Sequence, residues 1–545
     1  MLSLVKRMKR LMPLVVAAVG LFPPASGGAD WPQWGGTDAR NMVSTEKNLP
    51  GDALGNVAFK DANWDLLWSV RTGPHLYGNP TIADGRVFIG TGDLRWADAR
   101  FQATNGGMVM CIEQHTGKLL WRLLVPRYKK TIHGSRFDDM AVGVCSAATI
   151  EGKYAYVVSN RAEVLCLDVF GLRDGNDGPF KDEAQYMAGP GGKAPPALRR
   201  GDADIVWRFD MIHDLPSAPH DASNCNILIH KNLLYVCTSN GIHRWSDQPI
   251  PLPDAPTLIA LDKKTGRLVA VDDEKIGRRM FHGHWSSPSL STAGGRTQVL
   301  FGGGDGMLYA FQPFTPPKPK PNPTKGPKPK PGLLKRLWFF DCNPREYRFT
   351  KDGTPIDYWA GDASDPEIDL PKDHLGPSEI IATPVACKDR VYVATGQDPL
   401  HGKARGILHC VDATGTGNMS KRGCIWSYKK IGRTMGTVSV AGGLVYIADF
   451  GGVLHCLDAD TGKVAWTHDM KERTWCSTLV ADGKVYIGTE RKALWIFRAG
   501  RTRKVLARVK LPSKLSSMPT AANGVLYLPT DKAIHAVRKT PDKAP

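Results

Sequence analysis

The sequence predicts an all-β protein built from eight copies of one four-stranded unit arranged in a closed ring. The main observation is a strand-like apolar triplet, flanked by Gly or Asx turns, that recurs along the 545 residues. The second is a spacing of 40 residues between equivalent positions in the last copies, Cys456, Ile496 and Ala536. Four short strands every ~40–45 residues are typical of β-propeller blades. We therefore predict an eight-bladed β-propeller.

Each copy contains an apolar strand followed by a second strand that carries a small or apolar residue at one register position. The first of these strands are VFIGTG (87–92), AYVVSN (155–160), LYVCTSN (234–240), VLFGGGDG (299–306), VYVATGQD (391–398), VYIADFGG (445–452), VYIGTERK (485–492) and LYLPTDKA (526–533). The register position holds Cys111, Cys166, Ala260, Ala310, Cys410, Cys456, Ile496 and Ala536. Because cysteine replaces alanine at this position, we interpret these thiols as small buried hydrophobes rather than as a disulfide set.

An acidic turn with Gly and Trp follows the register position in several copies, as in CLDADTGKVAW (456–466) and CIEQHTGKLLW (111–121). The acidic or Thr side chain is expected to accept a bond from the backbone two residues on, and Gly suits the left-handed corner. Trp at the start of the next strand is expected to pack between blades while its indole N–H bonds a carbonyl. This position is occupied by Trp121, Trp207, Trp338, Trp426 and Trp466.

The two ends of the chain predict how the ring closes. The last copy ends near Val537 without an outer strand, whereas WDLLWSV (64–70) has the outer-strand pattern and no blade before it. We expect this N-terminal strand to complete the last blade, which removes exposed sheet edges. The predicted boundaries are a signal peptide at 1–29, a single propeller at 30–540 with insertions at 173–203 and 313–378, and a tail at 541–545.

The first residues have the pattern of an export signal. Lys6, Arg7, Lys9 and Arg10 precede a short apolar run at 11–22, and small residues at 25–29 provide a cleavage zone. The run is too short for a stable membrane span. We therefore predict a periplasmic or secreted protein with no transmembrane segment after signal removal, and a retained N-terminal anchor is the alternative.

The charge of the chain is concentrated in two places. The formal net charge is +18, but the basic residues of the leader and of the Pro-rich stretch through Arg336 account for eleven of these charges. No basic face interleaved with aromatics is visible, so we predict no nucleic-acid partner. The stretch 313–331 is expected to be a stiff, solvated loop suited to anionic envelope polymers or lipid.

The repeats resemble the pyrroloquinoline-quinone (PQQ) repeats of the quinoprotein alcohol dehydrogenase-like superfamily, through the D-x-x-T-G-x-x-x-W turn at 458–466. The opening WPQWGGTDARN (31–41) also resembles the strand and turn that begins such propellers. The superfamily includes quinone-dependent dehydrogenases and non-catalytic members such as an outer-membrane assembly factor. The sequence has neither the adjacent Cys pair typical of the dehydrogenases nor a C-x-x-C-H haem motif, which favours the non-catalytic branch.

Residues just before each innermost strand are expected to ring a central funnel. They are Tyr77, Cys145, Asn224, Trp285, Ile381, Met435, Trp475 and Ser516. The resemblance implies PQQ with calcium, for which Trp285 and Trp475 are candidate stacking surfaces and Arg433 is a candidate partner of the quinone carboxylates. The alternative is that these side chains only plug the axis.

Histidines near the same level are candidate metal ligands. His282 and His284 flank Gly283, and His133 or His220 would come from other blades. Because no carboxylate accompanies them in a recognisable pattern, we assign no metal site from the sequence.

The function predicted from the sequence is a non-catalytic binding or assembly scaffold of the cell envelope, monomeric, whose insertions enlarge one surface for an envelope protein or polymer partner. The alternative is a PQQ-dependent dehydrogenase that oxidises an alcohol or sugar, with an Asp base and hydride transfer to the quinone. Hydrolysis or lyase chemistry on a polysaccharide is a third hypothesis, which needs paired carboxylates from the insertions.

Overall fold

The computed structural model describes residues 28–51, 55–74, 77–94, 98–127, 131–132, 135–137, 140–189, 197–242, 250–317, 330–358, 376–399 and 404–541. Across these residues the strands form eight main sheets arranged in a ring, numbered blades 1 to 8 in chain order. Most of the predicted signal peptide, the central part of the Pro- and Lys-rich stretch and His133 lie outside the described residues. The predicted eight-bladed, all-β propeller is confirmed.

Each blade has four antiparallel strands, ordered from the axis outwards. Blade 1 has Thr81–Ala83, Arg86–Gly92, Gly107–Glu113 and Leu119–Val125; blade 2 has Thr149–Glu151, Tyr154–Val158, Glu163–Asp168 and Ile205–Asp210. Blade 3 has Leu228–His230, Leu233–Cys237, Leu258–Asp262 and Leu268–Val271; blade 4 has Ser289–Ala293, Arg296–Gly302, Met307–Phe311 and Arg336–Asp341. Blade 5 has Val385–Cys387, Arg390–Ala394, Gly406–Asp412 and Cys424–Ile431; blade 6 has Ser439–Ala441, Leu444–Ala448, Val453–Asp458 and Val464–Asp469. Blade 7 has Leu479–Ala481, Lys484–Gly488, Ala493–Arg498 and Val505–Lys510; blade 8 has Thr520–Ala522, Val525–Thr530, Ala533–Lys539 and Trp64–Arg71.

The remaining elements are short. Strands Gly55–Ala58, Gly332–Leu333 and Gly417–Asn418 add to blades, and Thr131–Ile132 pairs with Ser135–Arg136. The α-helices of the described residues are Glu183–Ala188 and Arg345–Arg348, and the 3-10 turns are Phe59–Asp61, Gly171–Arg173 and Ile276–Arg279. None of the described helices is long and apolar enough to cross a membrane.

The ring closes as predicted. Trp64–Arg71 pairs antiparallel with Ala533–Lys539, and Trp68 lies opposite Ala536 next to a register shift. Blade 8 therefore takes its outer strand from the N-terminal part of the chain, and this pairing covers the sheet edge at the junction of the two ends.

The register position organises the contacts between blades. In blades 1, 2, 5 and 6 its cysteine lies opposite the outer-strand tryptophan, and a bulge follows directly: the pairs are Cys111 with Trp121, Cys166 with Trp207, Cys410 with Trp426 and Cys456 with Trp466. All four thiols are buried, and none of the eleven cysteines, which all belong to the described residues, forms a disulfide. The interpretation of these cysteines as small buried hydrophobes is confirmed.

Four of the five tryptophans predicted for this position bond to the next blade, and so does Trp68 of the closing strand. The indole N–H groups of Trp68, Trp121, Trp207, Trp426 and Trp466 donate to the backbone oxygens of Gln114, Val169, Lys263, Ala459 and Gly500. Trp338 differs, because its N–H donates to the Gln298 side chain of its own blade at 2.9 Å.

The glycine of the acidic turn has two roles. Gly462 has φ +68°, and a Cβ at this position would lie 2.6 Å from the Trp426 ring of the preceding blade. Asp458 Oδ1 accepts bonds from the backbone N–H groups of Asp460 and Thr461, which confirms the predicted turn. The turn of one blade is therefore the docking surface for the tryptophan of its neighbour.

Gly462→Ala is expected to destabilise the protein more than Gly443→Ala. Both residues have left-handed φ, which costs an L-residue about 1–2 kcal/mol, but no described atom lies within 4 Å of a Cβ at Gly443. At Gly462 the clash with Trp426 adds about 1–3 kcal/mol of overpacking. Urea unfolding of the two variants measures the difference, and equal losses would show that the turn does not support the tryptophan.

Segments that leave a blade cover the outer edge of the preceding one. Gly332–Leu333 pairs in parallel with the outer strand of blade 3, and Gly417–Asn418 does so with that of blade 4. Gly55–Ala58 pairs with blade 7, and Asp202 forms a parallel bridge to Arg122 of blade 1. These short additions shield edge strands that would otherwise invite pairing with another chain.

The prediction that both insertions enlarge one surface is wrong. The insertion at 173–203 leaves between the third and outer strands of blade 2, and its helix Glu183–Ala188 packs on the outer strand of blade 1. The stretch 313–335 leaves blade 4 in the same way, and only 342–378 connects two blades. Antiparallel strand order explains the difference, because successive connections of a blade alternate between the two ends of the ring.

Residues 31–46, which we call the plug, cross one end of the ring and contact all eight blades. The contacts join Trp31 to Ile82, Pro32 to Ile150, Arg40 to Ile227, Asp38 to Leu290, Ala39 to Ala386, Asn41 to Val440, Met42 to Val480, and Ser44 to Ala521. The strand expected at 31–41 is not formed, because a segment that crosses strand ends meets each strand only once. The expected turn is present: the Gly36 N–H donates to the Gln33 carbonyl at 2.9 Å, and the Arg40 N–H donates to the Thr37 carbonyl at 3.0 Å. The isolated bridges of the plug join Trp31 to Ile82 and Val43 to Val480.

Candidate functional site

The candidate site lies at the other end of the ring, which we call the mouth. In blade 6 Met435 lines the axial cavity, whereas Val440, further along, bonds the plug. Each inner strand therefore runs from the mouth towards the plug, and the residues that precede it form the rim.

One cavity of about 140 Å³ lies on the axis beneath the mouth. All eight residues that the sequence placed just before the inner strands line it: Tyr77, Cys145, Asn224, Trp285, Ile381, Met435, Trp475 and Ser516. Trp34 of the plug closes the opposite side and donates its indole N–H to the Thr383 hydroxyl at 3.3 Å.

A second tier of polar side chains lies two residues further along the inner strands. Asn226 Oδ1 accepts the N–H of Ala147 at 2.7 Å, and Ser287 Oγ accepts the N–H of Asn226 at 2.9 Å. The Thr437 hydroxyl accepts the N–H of Thr383 at 3.1 Å in the same way. These groups tie neighbouring blades together around the axis, so their bonding capacity is partly used by the fold.

The two tryptophans proposed for stacking lie on different blades. Trp285 N–H donates to the Ala222 carbonyl at 3.0 Å, and Trp475 N–H donates to Glu490 at 2.9 Å. Trp475 also packs edge-on against Phe450, with ring centroids 5.3 Å apart. Both line the cavity, but each is held in place by its own blade or its neighbour.

Arg433 does not line the cavity. Its guanidinium lies 5.1 Å from the ring centroid of Phe450, and that of Arg473 lies 5.5 Å from the same ring. Burial lowers the pKa of Arg433, and the nearby Arg473 lowers it further while Asp398 opposes the shift. Two cations on one aromatic ring form a positive part of the rim at blades 6 and 7.

A histidine and carboxylate cluster forms the rim at blades 3 to 5. His220, Asp221 and His282 each place a ligand atom within 4.8 Å of the others. The Glu379 carboxylate lies 3.6 Å from His282 Nδ1, and both side chains are fully buried. The Tyr358 hydroxyl donates to Glu379 at 2.7 Å. Burial raises the pKa of this phenol well above its usual value, and the negative charge of Glu379 raises it further.

His284 is not part of this cluster. It accepts the N–H of Gly304 through Nδ1 at 2.9 Å, and burial lowers its pKa to about 3. Sequence reasoning named His220 and His282 but missed Asp221, Glu379 and Tyr358. The adjacent His220–Asp221 pair was a usable signal, whereas Glu379 follows an insertion that hides its blade register.

One family model, described as outer membrane protein assembly factor BamB, matches residues 404–505 and 451–540. The matched residues run from the third strand of blade 5 to the third strand of blade 8 and include the D-x-x-T-G turn at 458–462. The chain is an eight-bladed β-propeller, and its last blades are similar to the PQQ-like repeats of this family. No curated protein matches its sequence.

Solved structures with similar folds include two dehydrogenases and a BamB protein. A europium-containing methanol dehydrogenase is 11% identical with a TM-score of 0.53, and the alignment covers 92% of this chain and 89% of the dehydrogenase chain. BamB from Moraxella catarrhalis is 14% identical with a TM-score of 0.47, covering 89% and 100%. A quinohemoprotein alcohol dehydrogenase from Comamonas testosteroni is 14% identical with a TM-score of 0.43, covering 95% and 82%. At these identities the likeness shows the fold alone.

The axial cavity of this propeller does not fit the quinone and calcium that the resemblance implies. None of the described residues that line it is Asp, Glu, Lys or Arg, so it offers no carboxylate ligand for calcium and no cation for quinone carboxylates. Its volume of about 140 Å³ is also below the ~300–1,000 Å³ usual for cofactor pockets. Arg433, the candidate cation, lies outside the lining.

Proposed function

We propose that this PQQ-like propeller is a non-catalytic binding scaffold of the cell envelope that engages a protein or polymer partner through its mouth. The observation that carries this proposal is the axial cavity, which is small, uncharged and closed by the plug. A ligand that needs charged partners would meet them only at the rim. The predicted export signal supports a periplasmic or secreted location.

The rim differs between blades 6 and 7, which carry two arginines, and blades 3 to 5, which carry the histidine and carboxylate cluster. Arg433 and Arg473 stack on Phe450 at one side, and Arg473 is exposed to solvent. Stacked guanidinium groups keep their N–H donors for a carboxylate or phosphate while the ring covers one face. We therefore expect the partner to present acidic groups to blades 6 and 7.

Replacing both Arg433 and Arg473 with glutamine is expected to lower partner recovery at least tenfold. The measurement is quantitative capture from envelope extracts with the purified full chain, scored by mass spectrometry against wild type. Arg501→Gln is the control, because this exposed arginine belongs to a third-to-outer-strand turn at the plug end and pairs with Asp458. Equal recovery by the double variant and by wild type would contradict binding at this side of the rim.

A titration with PQQ and calcium distinguishes the scaffold from the dehydrogenase alternative. Wild-type protein is mixed with PQQ and calcium, and absorbance and dye reduction are recorded with a panel of alcohols and sugars. A flat response is expected, because the cavity lining lacks charged groups. Saturable quinone binding with substrate-dependent dye reduction would replace the scaffold proposal with an oxidoreductase.

A further inference from the structure

We propose that His220, Asp221 and His282 bind a divalent transition metal of the zinc class at the mouth, with Glu379 positioning His282. This site is independent of the proposed partner binding and of the quinone. Its ligands precede the inner strands of blades 3 and 4, and the positioning carboxylate precedes that of blade 5. Three blades therefore converge on one buried point.

The distances suit a small metal ion. The three ligand atoms lie within 4.8 Å of one another, and His220 Nε2 is 3.4 Å from Asp221 Oδ2. Ligand atoms around a tetrahedral zinc are about 3.3 Å apart, given Zn–N and Zn–O distances of about 2.0–2.2 Å. Small side-chain rotations would close the remaining gap.

The two imidazoles are held by packing and backbone bonds. A Cβ at Gly241 would lie 2.2 Å from His220 Cβ, so glycine lets this loop pack against the backbone that carries His220. The His282 carbonyl accepts the N–H of Ile242, and the two imidazole rings are 4.6 Å apart. Such preorganisation reduces the entropy lost when a metal is bound.

Burial makes the site selective for a cation. His220 is 3% exposed and His282 is fully buried, whereas Asp221 keeps a quarter of its side chain in solvent. A carboxylate beside two buried imidazoles attracts a positive ion more strongly than it would in water. Two nitrogen ligands favour zinc or a neighbouring transition metal over calcium or magnesium, which prefer oxygen.

Glu379 has the place of an outer-shell carboxylate. Its oxygen lies 3.6 Å from His282 Nδ1, and it is itself fixed by the Tyr358 hydroxyl. A carboxylate on the far ring nitrogen orients a ligating histidine and raises its basicity. Glu379 is therefore a positioning residue in this proposal.

A second cluster, made of three carboxylates, already has a lysine beside it. Asp168, Asp177 and Asp204 also place oxygens within 4.8 Å of one another. There the Lys153 amine already lies 2.5 Å from Asp177 and 3.5 Å from Asp168, so a protein cation supplies the positive charge. We assign no metal to this cluster, and it provides a matched control.

The test is titration of the EDTA-stripped full chain with Co²⁺, read by visible d–d absorption, followed by displacement with Zn²⁺. We expect saturation near one ion per chain and a rise in melting temperature with Zn²⁺. His220→Gln and His282→Gln are expected to abolish the signal. Glu379→Gln is expected to weaken binding by about 10–100-fold while keeping the absorption, and Asp177→Asn is expected to bind like wild type.

If the histidine variants fail to fold, Asp221→Asn decides, because this partly exposed residue has φ +53° and asparagine tolerates that backbone. At least tenfold weaker Co²⁺ binding by Asp221→Asn supports the site. Absence of saturable Co²⁺ binding to wild type, or unchanged binding by the folded His or Asp221 variants, overturns it.

Discussion

Arg40→Met is expected to lower the free energy of unfolding by about 3–5 kcal/mol, because several buried oxygens lose their donor at about 1–3 kcal/mol each. The Arg40 side chain is fully buried in the plug. Its guanidinium donates to the carbonyls of Trp34 at 2.7 Å, Ile227 at 2.8 Å and Pro288 at 3.2 Å. Methionine keeps the apolar stem and similar volume, so the loss reports hydrogen bonds rather than a cavity.

Thermal and urea unfolding measure this effect. Burial lowers the pKa of Arg40 to about 10, so the side chain stays charged at neutral pH. Arg501→Met is the matched control, since its guanidinium is 64% exposed, and surface pairs contribute about 0–1 kcal/mol. If both variants unfold at the same midpoint, the plug does not stabilise the ring.

Trp68→Ala is expected to cost about 3–5 kcal/mol, the range for removing a buried tryptophan. Trp68 closes the ring: it is 7% exposed and donates its indole N–H to the Gln114 carbonyl of blade 1 at 2.8 Å. Its ring also packs against Tyr527 of blade 8 and beneath Gly117. The substitution therefore weakens the junction at which the N-terminal strand completes blade 8.

The measurement is urea unfolding together with limited proteolysis of the folded protein, which should cleave first near the N-terminal strand. Leu66→Ala is the control on the same strand, because Leu66 is 49% exposed and its change should stay within about 0.5 kcal/mol. Trp68→Ala protein with wild-type stability and protease resistance would show that another contact closes the ring.

Much of the fold could be predicted because the same short sequence pattern recurs in each blade. The ten-residue spacing between Cys456 and Trp466 in one blade recurs between Cys111 and Trp121 in another. Both pairs form the same cross-strand contact. Counting back from each inner strand also found eight of the residues that line the axial cavity. Because the blades are equivalent around a closed ring, residues at the same distance in sequence from each inner strand lie at the same height along the axis.

The plug could not be predicted from its own residues. Arg40 lies in a Gly-rich stretch that resembles a turn, and nothing adjacent in sequence shows that it becomes fully buried. Two of its acceptors, Ile227 and Pro288, belong to blades 3 and 4 and lie far along the chain. The direction of the insertions was also mistaken, because their surface depends on which pair of strands they connect.

The sequence by itself determined the number of blades, the closing strand and the position of four inter-blade tryptophans, since short-range periodicity specifies which face of each strand is buried. Only the tertiary structure decided that His220, Asp221, His282 and Glu379 meet at the mouth while Arg433 lies away from the cavity. These residues come from loops before different blades, and the lengths of those loops carry no periodic signal. Their meeting follows from the curvature of the ring, which brings distant loops to a common axis.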